Sequence, residues 1–204
     1  MTSIDSLTIE TPDPTTAERF YDDAFGLGRR IRVRAGDSPT SGFRSFTISI
    51  AVAQPADVQA FLDAALAAGA TSLKPRSTSF WGVAGVVRAP DGTIWKIATG
   101  AKKDSKPASR TVQDVVLLLG VADIAESKRF YSGRGLKIGK SFGKYAQIDL
   151  ADDSPIKFGL YGRRMLAKDA GTDAEGSGSH RLTIDGAIAP VTDPDGFVWE
   201  PAQG

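Results

Sequence analysis

Polar and apolar residues alternate along residues 6–10, Ser-Leu-Thr-Ile-Glu, which is the period of a strand with one face buried. Pro12, Asp13 and Pro14 interrupt that period, and Ala17, Phe20, Tyr21 and Ala24 then follow helical spacing, with Thr15 or Thr16 as the expected cap and Gly26 and Gly28 as the stop. Alternation returns over 29–35 and 42–52. A second helix opens at Pro55, carries Val58, Phe61, Leu62, Ala65 and Leu66 on one stripe, and ends at Gly69. Short strands fit 72–79, 83–89 and 93–98, the last two joined by the Pro90-Asp91-Gly92 turn. After residue 110 the order begins again, with a strand over 112–119, a helix over 123–132 and strands over 137–142, 145–150 and 156–161. A loop rich in Gly, Ser and Asp over 168–179 then leads to a strand over 180–185.

The recurrence extends to residue identity. Arg19-Phe20-Tyr21 matches Arg129-Phe130-Tyr131, each followed by Gly-Leu, and Pro90-Asp91-Gly92-Thr93-Ile94-Trp95 matches Pro194-Asp195-Gly196-Phe197-Val198-Trp199. Two echoes in the same order define a repeat, and repeats take precedence over local propensity in deciding a fold. The polar run 101–110, with Pro107 and several Ser and Lys, reads as a linker between units at 1–100 and 111–204. The second unit is short: the dozen residues between 185 and the closing turn are too few for a helix and two strands. The first unit lacks a hairpin between Ala35 and Gly42.

Composition removes several chemistries. The chain of 204 residues has no cysteine and one histidine, so thiolate metal sites, disulfides and a cysteine nucleophile are excluded. Twenty-five Lys and Arg against 24 Asp and Glu leave a net charge of +1, which provides no whole-molecule field for nucleic acid or an anionic membrane. No stretch is apolar enough for a membrane span and the first residues carry no secretory pattern, so the expected compartment is the cytoplasm. The pattern Gly133-Arg134-Gly135 lacks a phosphate-binding context and reads as a helix stop.

The ordered motifs, helix ending in Arg-Phe-Tyr, Phe80-Trp81-Gly82 and the Pro-Asp-Gly-x-x-Trp closure, resemble the glyoxalase, bleomycin-resistance and extradiol dioxygenase group, the vicinal oxygen chelate superfamily. The resemblance covers nearly the whole chain. It implies an α+β fold of tandem domains, built from βαβββ modules whose curved mixed sheets form open cups, with the last module truncated. It also implies where site residues fall. In the first unit the family's metal positions fall on Ser6, Thr47 and Lys96, and an ammonium where metal enzymes carry a carboxylate would repel a cation. The leading expectation is therefore a small-molecule-binding protein without a metal or other cofactor, using Ser6, Thr8, Thr47, Ser49 and Lys96 as polar contacts in one cup, with Phe80 and Trp81 as walls. No catalytic residue is singled out.

The alternative is a metal-dependent lyase, isomerase or dioxygenase. Asp114 and Glu200 occupy the corresponding first- and last-strand positions of the second unit, and His180 stands near a third, a set suited to Fe, Mn, Ni or Zn. One residue of strand register decides whether His180 faces that cup. Trp81 reads either as a stacking platform at a cup mouth or as a core aromatic, whereas Trp95 and Trp199 read as core, and Phe20, Tyr21, Phe130 and Tyr131 as the seam between helix and sheet. Alternation puts Arg30, Arg32 and Arg34 on one face of a solvated edge strand. The truncated end favours a homodimer that covers an exposed sheet face.

Overall fold

A computed structural model describes residues 2–186 and 188–202. The chain runs β1 (Ile4–Thr11), α1 (Pro14–Ala24), β2 (Ile31–Ala35), β3 (Thr40–Gly42), β4 (Phe46–Ala51), α2 (Pro55–Ala67), β5 (Thr71–Ser79), β6 (Gly82–Arg88) and β7 (Ile94–Thr99). Beyond the linker it continues as β8 (Asp114–Val121), α3 (Ile124–Gly133), β9 (Lys137–Phe142), β10 (Tyr145–Asp149) and β11 (Lys157–Gly162). The last elements are α4 (Arg163–Ala170), β12 (Gly176–Gly178), β13 (Leu182–Gly186), β14 (Val191–Thr192) and β15 (Val198–Glu200).

Two units of identical plan make the larger sheet. In each, a first strand crosses over through a helix and pairs in parallel with the last strand of the unit, β4 with β7 through α2 and β8 with β11 through α3. A parallel pair demands such a crossover, and an amphipathic helix supplies it while covering the sheet. Antiparallel pairing of β4 with β8 fuses the units into one eight-stranded sheet among the described residues, in the order β5-β6-β7-β4-β8-β11-β10-β9.

The remaining strands form a five-stranded sheet, β14-β15-β13-β1-β2, in which β1 pairs antiparallel with β13. Both units here are abbreviated. No hairpin separates β1-α1 from β2, its parallel partner, and between β13 and β14 the described residues contain no helix. The linker at 101–110 divides the sequence, yet both sheets draw strands from 1–100 and from 111–204. Each cup is thus shared between the two sequence halves.

One apolar core joins the sheets. Leu7 and Ile9 of β1, Ile184 of β13, Ile48 and Ile50 of β4 and Leu117 and Leu119 of β8 belong to a single buried cluster. Because alternate residues point to opposite faces, Ser6 and Thr8 are turned away from this core on one sheet, and Ser49 and Lys96 on the other. Trp95 and Trp199 are buried in it, Trp95 against Tyr21 and Phe25 and Trp199 against Tyr131 and Phe158. No described helix is long and apolar enough to cross a membrane.

Two local expectations are corrected. The cap of α1 is Asp13, whose carboxylate accepts from Thr16 N at 3.0 Å, so the chain enters the helix two residues before the threonines. The helix α4 (Arg163–Ala170) fills the stretch after β11 to which no element was assigned and takes in the first residues of the loop expected over 168–179. Its Leu166, Ala167 and Ala170 pack with Phe43, Val86 and Ile94, which places α4 over one end of the concave face of the larger sheet.

Candidate ligand-binding cup

What α4 leaves open on that face is a cavity of about 690 Å³. Its floor comes from Ala84 and Val86 of β6, Lys96 and Ala98 of β7, Ala51 of β4 and Leu118 of β8. Small residues at 51, 84 and 98 account for the space, since a larger side chain at any of these inward positions would fill it.

Aromatic residues make the walls. Trp81 rises from the tip between β5 and β6, where it and Phe80 are each 80% exposed and meet edge to face at 5.2 Å. The tip depends on Gly82, which has φ +123° and whose Cβ would lie 2.0 Å from Thr99 O. On the opposite wall Phe142, Tyr145 and Tyr161 are cross-strand neighbours on β9, β10 and β11, with ring centroids 5.4 and 6.0 Å apart. The cavity therefore has aromatic residues from both arms of the curved sheet.

Charge enters from the floor and from the end of α4. Lys96 Nζ donates to Asp169 Oδ2 at 2.6 Å, with the two side chains 27% and 38% exposed. Lys74, on β5, donates from Nζ to the carbonyls of Lys168 and Asp169, each at 2.7 Å. These are terminal carbonyls of the helix, where a cation is favoured by the dipole and by the missing intrahelical donors. Gly171 makes this possible: it ends the helix with φ +75°, and a Cβ there would stand 2.9 Å from Lys74 Cγ. Burial, and then the charge of Asp169, push the Tyr161 phenol above its usual range, and burial alone does the same for Tyr145.

The sequence-predicted polar residues divide between the two sheets. Lys96 and Trp81 line the cavity. Ser49 is half-buried on the same face beside Lys96 and Val116, and Thr47 is buried toward the end that α4 covers. Ser6 and Thr8 are not in this cup. They are buried on the concave face of the smaller sheet and both donate to Asp185 Oδ2, at 2.7 and 2.8 Å. Arg34 reaches across that face from the edge strand β2, donating to Thr183 Oγ1 at 2.8 Å and to Glu200 at 3.2 and 3.3 Å. The smaller cup is thereby filled by its own side chains. Asp185, Tyr145 and Asp169 were missed by sequence reasoning; only the alternation of 182–186 could have pointed to the first.

Among the described residues, the three side chains expected to hold a metal ion do not converge in either cup. Asp114 opens β8 in the larger sheet, exposed and opposite Ala51, whereas Glu200 lies in the smaller sheet against Arg34. His180 precedes its strand, which begins at Leu182, and both ring nitrogens face backbone carbonyls, Nδ1 that of Arg44 at 2.7 Å and Nε2 that of Asp195 at 2.9 Å. Its ring stacks on Phe197 at 3.8 Å. Both nitrogens are thus turned toward main-chain oxygens and neither toward Asp114 or Glu200. Among the described residues no three His, Asp or Glu side chains come together in a way that would hold a metal. The trio Asp114, His180 and Glu200 is thus not assembled.

Paired βαβββ units around a curved sheet, closed by a Pro-Asp-Gly-x-x-Trp strand, define the vicinal oxygen chelate fold. Solved structures similar over most of the chain carry it. Glyoxalase I from Zea mays, as its V278E mutant, superposes with a TM-score of 0.63 at 13% identity, covering 98% of this chain and 91% of that one. A second Zea mays glyoxalase I structure gives 0.61 at 16% identity, covering 91% and 75%. A putative dioxygenase from Bacillus subtilis gives 0.56 at 12% identity, covering 90% and 69%. Identities this low speak for the fold alone. No protein-family model matches the sequence, and no curated protein matches it.

Proposed function

We propose that the protein binds a small organic molecule in the cup of the larger sheet and does so without a metal ion. The observation that carries this reading is the cavity of about 690 Å³, apolar at its floor, aromatic at its walls and supplied with one ion pair, Lys96 with Asp169. That combination is the usual make-up of a ligand site, in which apolar surface provides affinity and a few polar groups fix orientation. Lys96 occupies the closing-strand position at which a metal site of this fold would need an acid, and its ammonium disfavours a cation there.

Tryptophan fluorescence tests the reading, because Trp95 and Trp199 are buried and Trp81 is exposed at the cup mouth. Titration with a panel of aromatic and aliphatic small molecules is expected to give saturable quenching that Trp81→Ala abolishes. Metal analysis of protein purified without a polyhistidine tag is expected to give less than one equivalent. A stoichiometric metal lost in Glu200→Ala or Asp114→Ala would overturn the metal-independent reading.

A further inference from the structure

The charged side chains that line the cup are Lys74, Lys96 and Asp169, two ammoniums against one carboxylate, and the rest of its surface is apolar, aromatic or neutral. The carboxylate does not belong to the sheet. It is delivered by the last turn of α4, the helix that fills the other end of the same concave face. Its partner Lys96 is a fixed part of the floor, in register with Ser49 and Val86. The pair is partly solvated, so its strength is modest and an outside anion can exchange for the Asp169 carboxylate.

From this arrangement we infer that the ligand is an aromatic monoanion whose acidic group takes the place of the Asp169 carboxylate at Lys96. This rests on the small-molecule reading above and names the chemistry of its ligand. Asp169 is then an internal stand-in, holding the ammonium while the cup is empty. The main chain of α4 need not move when it is displaced, because Lys74 holds the carbonyls of residues 168 and 169 independently of the Asp169 side chain. The ring of the ligand lies between Trp81 and the Phe142-Tyr145 wall, and the Tyr161 hydroxyl stands near enough to Asp169 to feel its charge. A cationic ligand fits poorly: its only acidic partner in the lining is already engaged, and two ammoniums oppose it.

Three probes with one ring system separate the outcomes: naphthoate, naphthylmethanol and naphthylmethylamine, titrated calorimetrically at neutral pH. Naphthoate is expected to bind about tenfold more tightly than the alcohol, the size of a charge-assisted contact in a partly dry site. Lys96→Met should bring acid and alcohol level, Lys96→Arg should keep the preference, and Asp169→Asn should widen the preference for naphthoate over the alcohol several-fold. Equal binding of acid and alcohol, tighter binding of the amine, or a preference that fails to widen in Asp169→Asn would each overturn the inference and leave the cup reading standing. Binding of none of the three would overturn both. Circular dichroism and urea midpoints of each variant distinguish a lost contact from a lost fold.

Discussion

Tyr131 donates its hydroxyl to Asp193 at 2.7 Å, although the aspartate that matches the partner of Tyr21 in the first repeat is Asp195. The two closing turns share Pro-Asp-Gly but make different bonds. In the first, Asp91 accepts from Tyr21 and from Thr93 N. In the second, Asp193 takes the tyrosine, and Asp195 instead accepts from Ala122 N and the Ser127 hydroxyl. The residue equivalent to Asp193 in the first repeat is Ala89, so the second repeat has a carboxylate that the first lacks, and the clasp has moved to it.

Tyr131→Phe is expected to destabilise the protein by about 2 kcal/mol, since it leaves a buried carboxylate oxygen without its donor. Asp193→Asn should cost less, because an amide still accepts from Asp195 N and Phe197 N through its oxygen. Urea unfolding of both single variants and of the double variant gives the coupling, which should be positive.

Stability should fall in acid. Hydrogen bonding from Ser38 lowers Glu10 below 4.5, Thr16 lowers Asp13 below 3.8, and the N–H groups of Glu126 and Ala125 lower Asp123 below 3.8. A folded value below the unfolded one means stability that is fully present above the unfolded value and lost as pH falls through the folded one. Asp193 has the opposite sign, since burial raises it above 3.8 and its protonation favours the folded chain. The urea midpoint is therefore expected to hold down to about pH 5 and decline below it. Asp13→Asn with Asp123→Asn, which keep the caps without charge, should flatten the decline.

Exposure of one tryptophan out of three predicts the response to iodide. Trp81→Phe should remove the quenchable part of the emission and leave that of Trp95 and Trp199. Gly82→Ala, which forces a side chain into the carbonyl of Thr99, is expected to cost about 1–3 kcal/mol and to weaken ligand binding through the displaced tip.

His180→Phe should keep the stacking volume against Phe197 and lose both carbonyl contacts, to Arg44 and to Asp195. A loss of about 1–2 kcal/mol is expected, with no change in ligand affinity at the larger cup. A drop in affinity of the size given by Trp81→Ala would show that the histidine acts on the cup.

Residues whose roles follow from local period were legible. Leu7, Phe20, Tyr21, Phe61 and Trp95 are buried as their spacing requires. Which sheet a strand joins was not legible. Ser6 and Ser49 have the same alternation, and only the pairing of β1 with β13 and of β4 with β8 separates them. That pairing is decided by contacts across the whole chain, which no window of residues contains. Helix α4 escaped because eight residues offer too few apolar positions to set a period. The Lys96–Asp169 pair escaped with it.

The pairing of β1 with β13 also sets an order of events during synthesis. All strands of the larger sheet lie between residues 46 and 162, so that sheet can close while the C-terminal residues are still inside the ribosome. β1 has its antiparallel partner far along the chain, with Ile9 opposite Leu182. Until that partner arrives, β1 and β2 present an unpaired edge, and a chain released after α4 but before residue 182 would carry the elements of the larger cup together with an open, association-prone strand.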